Sequence, residues 1–221
     1  AYLTADDVEQ HIINCAGHGV QGGFHAIGDA AVANVVSGVA AAAQTVGVET
    51  IRAGRHRVEH AELVDKQLIA GFVAFGLYAS VQPAFDARWG GPDAMYATRL
   101  GPDRALDANP FGSFAGVGVP LAIGSDSPVT PMDPWGGVKA AVNHRNPRQR
   151  LSPTAAFAAH TRGGWRAVGD DAGGVMAPGS PATFAVWDHR QPGLPELTET
   201  AVAPNCRHTV RDGAVIYDEE D

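Results

Sequence analysis

Three side chains stand where short apolar runs end. His25 follows Val20-Gln21-Gly22-Gly23-Phe24, His60 follows Arg57-Val58-Glu59, and Asp126 follows Leu121-Ala122-Ile123-Gly124-Ser125. Two neutral imidazoles and one carboxylate suit Zn²⁺ or a similar divalent ion. Taken singly, a histidine at a strand end is more often packed or surface-exposed, and an aspartate before Ser127-Pro128 is commonly a cap or turn residue. Their recurrence at equivalent places is the argument for a metal site, since parallel βα folds gather reacting groups at the carboxyl ends of their strands. Pattern alone leaves both readings standing. A fourth such end, Gln82-Pro83, offers a polar side chain but a poor ligand.

Other chemistries fit less well. Gly17, Gly19 and Gly22 match G-x-G-x-x-G, but a dinucleotide fingerprint must follow a strand and open a helix. Here a helical pattern ends and a strand begins, so Gly17 is read as the positive-φ residue that closes a helix. Gly124-Ser125-Asp126-Ser127 is not a nucleophile elbow. His56 precedes His60 by four residues, a metal-pair spacing on a helix, but on a strand the two are roughly 13 Å apart. The alternation around Val58 reads as a strand, which makes His56 structural. His11, His18, His144, His160, His189 and His208 are read as solvated or packed.

The elements that must position these groups alternate. Residues 5–16 read as a helix with Thr4 as N-cap, 20–24 as a short strand, and 29–46 as an Ala/Val-rich helix. A strand at 57–59 leads to His60, a helix covers 65–75, and a strand at 77–82 stops at Pro83. A loop-rich stretch with some helix precedes a strand at 120–124. Helices follow at 133–142 and 152–168, the second broken at Gly163-Gly164. Strand then helix, repeated about four times, implies parallel strands with helical crossovers. After Pro178 the pattern turns to β alone, with a run at 182–187 and a hairpin at 207–217 turning at Asp212-Gly213.

Composition narrows the classes. The 221 residues are 45% hydrophobic and 18% charged, with net charge −8 and no run of Lys or Arg longer than one residue. Such a surface repels phosphate backbones, so no nucleic-acid partner is expected. The Ala/Val stretch at 30–46 is too short and weak for a membrane span, and no membrane partner is expected. Cys15 and Cys206 lie far apart without a C-x-x-C pattern. A single disulfide stays open, but two buried free thiols are the favoured reading, and the expected compartment is the cytoplasm.

Taken in order, His25-Ala26-Ile27-Gly28-Asp29-Ala30-Ala31, Arg57-Val58-Glu59-His60-Ala61, Ser80-Val81-Gln82-Pro83 and Gly124-Ser125-Asp126-Ser127-Pro128 resemble the amidohydrolase superfamily, in its family 3 branch of N-substituted formamide deformylase-like proteins. The segment at 174–184 resembles the closing motif of that family, with Thr183 where an Asp is usual, and Thr209-Val210-Arg211-Asp212-Gly213 resembles its final strand and turn. The resemblance implies a (β/α)₈ TIM barrel with a small β-sandwich domain. Residues 1–177 would be its C-terminal half, about strands 5–8, and residues 178–221 strands of the sandwich. His25 would then close strand 5, His60 strand 6 and Asp126 strand 8. The family's strand 1 and strand 4 ligands would lie before Ala1, so the chain is expected to be the latter part of a longer enzyme. It is also expected to occur with the missing half or to self-associate through open edges, leaving apolar interior side chains around Val81 and Ile123 uncovered.

The implied activity is metal-dependent hydrolysis of a C–N bond in an amide, formamide or cyclic amide, with the small-molecule substrate's carbonyl polarised by the metal, most simply Zn²⁺. His25, His60 and Asp126 would hold the metal, and Asp126 would also accept and return the proton. Gln82 and Trp89 would line the substrate pocket, unless Trp89 is simply packed. Glu59 would support the ligands from behind or serve only as a strand salt-bridge partner. The chain by itself is expected to be inactive. The alternatives are a non-catalytic binding or scaffold fragment, or a hydrolase of ester-type bonds.

Overall fold

The computed structural model describes residues 1–219. Helix α1 (Ala5–His18) opens on a reciprocal cap: Asp7 N–H donates to Thr4 Oγ1 at 3.2 Å, and Thr4 N–H donates to the Asp7 carboxylate at 2.9 Å. The helix does not stop at Gly17. It runs to His18, and Gly19 takes the left-handed conformation (φ 63°), so that Val20 N–H reaches Cys15 O. Only one glycine of the Gly17-His18-Gly19 triplet has to leave the helical region, and the second one does.

Strand β1 (Gly23–Ala26) therefore begins three residues later than the sequence pattern suggests and holds His25 within it. Gly22 is occupied first: its N–H donates to His56 Nδ1 at 2.8 Å, and its carbonyl accepts from Arg57 N. Helices α2 (Asp29–Val46) and α3 (Val48–Ala53) lead to β2 (Arg57–His60). Helix α4 (Lys66–Phe75), capped by Asp65, leads to β3 (Tyr78–Val81). The stretch read as loop-rich is mostly helical: α5 (Pro83–Trp89), α6 (Met95–Leu100), α7 (Pro102–Asp107) and α8 (Phe111–Gly116) precede β4 (Leu121–Ile123). These turns are too short for an amphipathic period to register in sequence.

Helix α9 (Pro134–Val142) is followed by α10 (Pro153–His160) and α11 (Arg162–Ala167), which break at Thr161 rather than at the glycines. Gly163 is needed for another reason. A Cβ there would collide with the carbonyl of Leu121, so the glycine lets α11 lie against β4. Strands β5 (Phe184–Trp187), β6 (Cys206–Arg211) and β7 (Ala214–Asp218) form an antiparallel sheet in that order. Its hairpin turns at Asp212 (φ 49°) and Gly213 (φ 82°), both positive as a tight turn requires.

The first sheet is wholly parallel in the order β1-β2-β3-β4, and its two faces differ. Phe24, Val58, Ala79, Val81 and Ile123 are buried against Val32, Val35, Val39, Phe72 and Phe114 from the helices. Val81 and Ile123 are therefore covered by the helices, contrary to the sequence expectation. That other face carries His25, Glu59, Ser80 and Ala122 in register. Period-two alternation separates the two sets, and on this second face Tyr78 and Ala122 are buried with Ala167 of α11. Both cysteines are free thiols, Cys15 buried and Cys206 half-buried. Among the described residues no helix is long and apolar enough to cross a membrane.

Candidate active site at the carboxyl edge of the parallel sheet

His25 and His60 meet at this edge. His60 Nε2 lies 3.0 Å from His25 Nδ1, with the rings 4.4 Å apart and near perpendicular. Strict alternation would send the His60 side chain to the helix-packed side with Val58. The backbone at His60 (φ 76°) and Ala61 (φ 47°) is instead left-handed, a conformation that costs about 1–3 kcal/mol in non-glycine residues and that gathers at functional sites. It brings a buried imidazole to an exposed one. Asp126, also left-handed (φ 54°), is exposed just beyond β4. Its charge reaches His60 and raises that residue's affinity for a proton.

Burial nevertheless dominates at His60, which is 4% exposed. Desolvation holds its pKa below the ordinary histidine value, and the neighbouring His25 adds to this, while Asp126, Glu59 and Gln82 act in the opposite direction. The ring is therefore held neutral, the form that can act as a ligand.

The remaining expected residues separate. Gln82 is buried beside His60, its amide donating to Ser80 O at 3.3 Å while its Oε1 has no partner. Trp89 is half-buried and packs edge-on against Phe85 (4.6 Å), whose other neighbour is His60, stacked at 5.7 Å. Glu59 pairs with Arg57, Nε to Oε1 at 2.5 Å, so it is a strand salt-bridge partner that also acts on His60 electrostatically. His56 is buried as the Gly22 acceptor, as its strand spacing implied. His144 is buried and lies 3.5 Å from Asp86.

Sequence reasoning passed over Glu62. This carboxyl group is 4% exposed, accepts from Tyr96 Oη at 2.7 Å, and lies 4.0 Å from His60 Nδ1. Burial pushes its pKa up, against the opposing pull of the Tyr96 hydrogen bond. The available signal was its place two residues after His60, in a stretch where Ala61 and Leu63 left little reason for a solvated charge.

Among the described residues no three His, Cys, Asp or Glu side chains stand close enough to hold a metal ion by themselves. The donor chemistry still suits a divalent ion: two facing ring nitrogens, the Asp126 carboxylate whose charge acts on His60, and a buried His60 Nδ1 without a partner. A cleft of about 290 Å³ is lined by Arg88 and by Gly124, Ser125, Thr130 and Asp133, which lie on either side of Asp126 in sequence, but not by Asp126 itself. A larger cavity, about 760 Å³, lies elsewhere, between α9–α11 and β5.

Fold and site together define an α/β protein whose titratable groups converge at the carboxyl edge of a parallel sheet. The family described as the amidohydrolase family matches residues 1–217, and the chain belongs to it. It is 29% identical over 140 residues to a Bacillus subtilis (strain 168) protein provisionally named amidohydrolase YtcJ, covering 62% of this chain and 24% of that one. An uncharacterized metal-dependent hydrolase from Pyrococcus furiosus superposes with a TM-score of 0.69 at 26% identity, over 82% of this chain and 36% of its own. Atrazine chlorohydrolase TrzN from Arthrobacter aurescens TC1, complexed with zinc, superposes with a TM-score of 0.70 over 99% of this chain and 49% of its own. At 17% identity that likeness shows the fold. The chain thus spans about a quarter of the length of the curated relative and less than half of either structure.

Proposed function

We propose that this chain is the catalytic-site-bearing portion of a metal-dependent hydrolase acting on C–N bonds of amides, formamides or cyclic amides. Residues 1–177 would be about four βα units of a (β/α)₈ barrel, and residues 178–221 strands of a small β-sandwich. The observation that carries the reading is the 3.0 Å approach of His60 and His25, secured by left-handed backbone at His60, with Asp126 acting on His60 through its charge. His25, His60 and Asp126 would hold a divalent metal, most simply zinc, which when bound supplies Lewis acidity at a substrate carbonyl.

The chain's own residues have distinct tasks. Asp126, exposed at the mouth, accepts the proton of the attacking water and returns it to the departing nitrogen, so that the amine leaves neutral. His60 stays neutral because it is buried. Gln82 offers its unpartnered Oε1 to a substrate N–H, and Trp89 presents an aromatic wall beside Phe85. The site needs further donors, and β1 and β4 each have one sheet partner among the described residues. We therefore propose that the isolated chain does not turn over, and that it pairs with further strands of a longer polypeptide or with copies of itself.

The test is hydrolysis of N-substituted formamides, cyclic amides and carboxyl esters by the zinc-supplemented full-length enzyme, with the 221-residue chain alone expected to be inactive and its zinc affinity measured by calorimetry. Zinc binding that disappears in His25→Ala and His60→Ala supports the site. Turnover of esters but not amides would overturn the bond assignment, and no zinc binding would overturn the metal.

A further inference from the structure

His60 has two ring nitrogens with different surroundings. Nε2 faces His25 at the open edge, whereas Nδ1 lies on the inner side, buried and without a hydrogen-bond partner. A buried ring N–H is normally satisfied, and a ligating histidine normally donates its second N–H to a carboxylate or carbonyl. One carboxyl group is at hand. Glu62 Oε1 is 4.0 Å from His60 Nδ1, so the two come into hydrogen-bond range on closing by about 1 Å.

Glu62 is held for that task from two sides. Its Oε2 accepts from Tyr96 Oη at 2.7 Å, and its backbone carbonyl accepts from Asn109 N at 2.8 Å. In an extended strand a residue two positions on would lie roughly 7 Å further along. The left-handed backbone at His60 and Ala61 folds Glu62 back beside the ring instead. Glu59, the carboxylate nearest in sequence, is engaged with Arg57.

We infer that Glu62, braced by Tyr96, is the positioning residue that receives His60 Nδ1–H and so fixes the tautomer that leaves Nε2 as the open, ligating nitrogen. The inference rests on the proposed role of His60 as a ligand. Its rival acceptor is Gln82 Oε1, also buried, unpartnered and beside His60.

The experiment records the ring ¹⁵N shifts of His60 in the 221-residue chain by long-range ¹H–¹⁵N correlation, with zinc affinity measured in parallel by calorimetry. The expected result is an Nδ1–H tautomer in the parent chain. Glu62→Leu loses this preference, and Glu62→Gln, which keeps an acceptor oxygen, restores it. Zinc affinity should fall by about 10–100-fold in Glu62→Leu, and by less in Tyr96→Phe, which keeps the ring and guards against a folding failure at position 62. An unchanged tautomer in Glu62→Leu, or a tautomer that shifts in Gln82→Leu instead, overturns the inference. If the parent chain binds no zinc, the ligand assignment fails on its own, and the ¹⁵N shifts still decide whether Glu62 sets the ring.

Discussion

Two glycine substitutions test the way α1 packs. Gly17 lies inside α1, exposed, with nothing within 4 Å of where a Cβ would stand. Alanine there removes the helix-propensity penalty of glycine without a clash, a gain of about 0.5–1 kcal/mol. Gly38 lies in α2 where it crosses α1, and a Cβ there would stand 2.6 Å from Val8 Cβ, with the Ala5 carbonyl closer still. The same propensity gain is opposed by overpacking of about 1–3 kcal/mol. Because the Ala5 obstacle is backbone, it cannot turn aside, and the upper part of that range applies. Gly38→Ala should therefore lose about 1–2 kcal/mol. In a chain of this size a kilocalorie moves Tm by about 2–4 °C. Thermal unfolding followed by circular dichroism should show Gly17→Ala up by about 1–4 °C and Gly38→Ala down by about 2–8 °C. If Gly17→Ala were destabilising, Gly17 would be the left-handed terminator that the sequence pattern suggested. If Gly38→Ala were stabilising, the α1–α2 crossing would be wrong.

Further outcomes follow from the site and the core. Asp126→Asn keeps one oxygen able to bind a metal but removes the basic carboxylate, so turnover by the complete enzyme should collapse while metal content falls less; near-normal activity would remove Asp126 as the base. His56, His144 and His160 all have pKa values held below the usual 6.5 chiefly by burial. The unfolded chain then binds more protons in the window below 6.5, so stability is complete above it and declines as pH falls through it. Tm measured in small pH steps should be flat near neutrality and drop below about pH 6.5; a constant Tm down to about pH 5 would mean these rings are not buried neutral. Light scattering should find the isolated chain associated rather than monomeric, since both edges of the parallel sheet lack a second partner among the described residues.

Much of the frame was legible locally. Thr4, Asp65 and Asp133 cap helices because short polar side chains reach the free amides of a first turn, a matter of neighbours in sequence. The Asp212-Gly213 turn announced itself through the same short-range rules, and β2, β3 and β4 were placed to within one residue at each end. His25, His60 and Asp126 could be nominated because parallel strands bring their carboxyl ends together whatever the loops between them do. The helix boundary at Gly19, the break at Thr161 and the late start of β1 were not legible. The late start of β1 depends on a distant partner, since Gly22 is engaged by His56 before the strand begins.

The side-chain directions belong to the tertiary structure. Alternation would have hidden His60 among the helices, and only the left-handed backbone after β2 turns it to His25 and folds Glu62 behind it. The sequence by itself determined which residues could do chemistry and the order of strands that carries them, because period and capping act within a few residues. Which nitrogen faces which neighbour, and which carboxylate is buried beside it, was decided by packing between segments far apart in the chain, since burial and strain are properties of the assembled core.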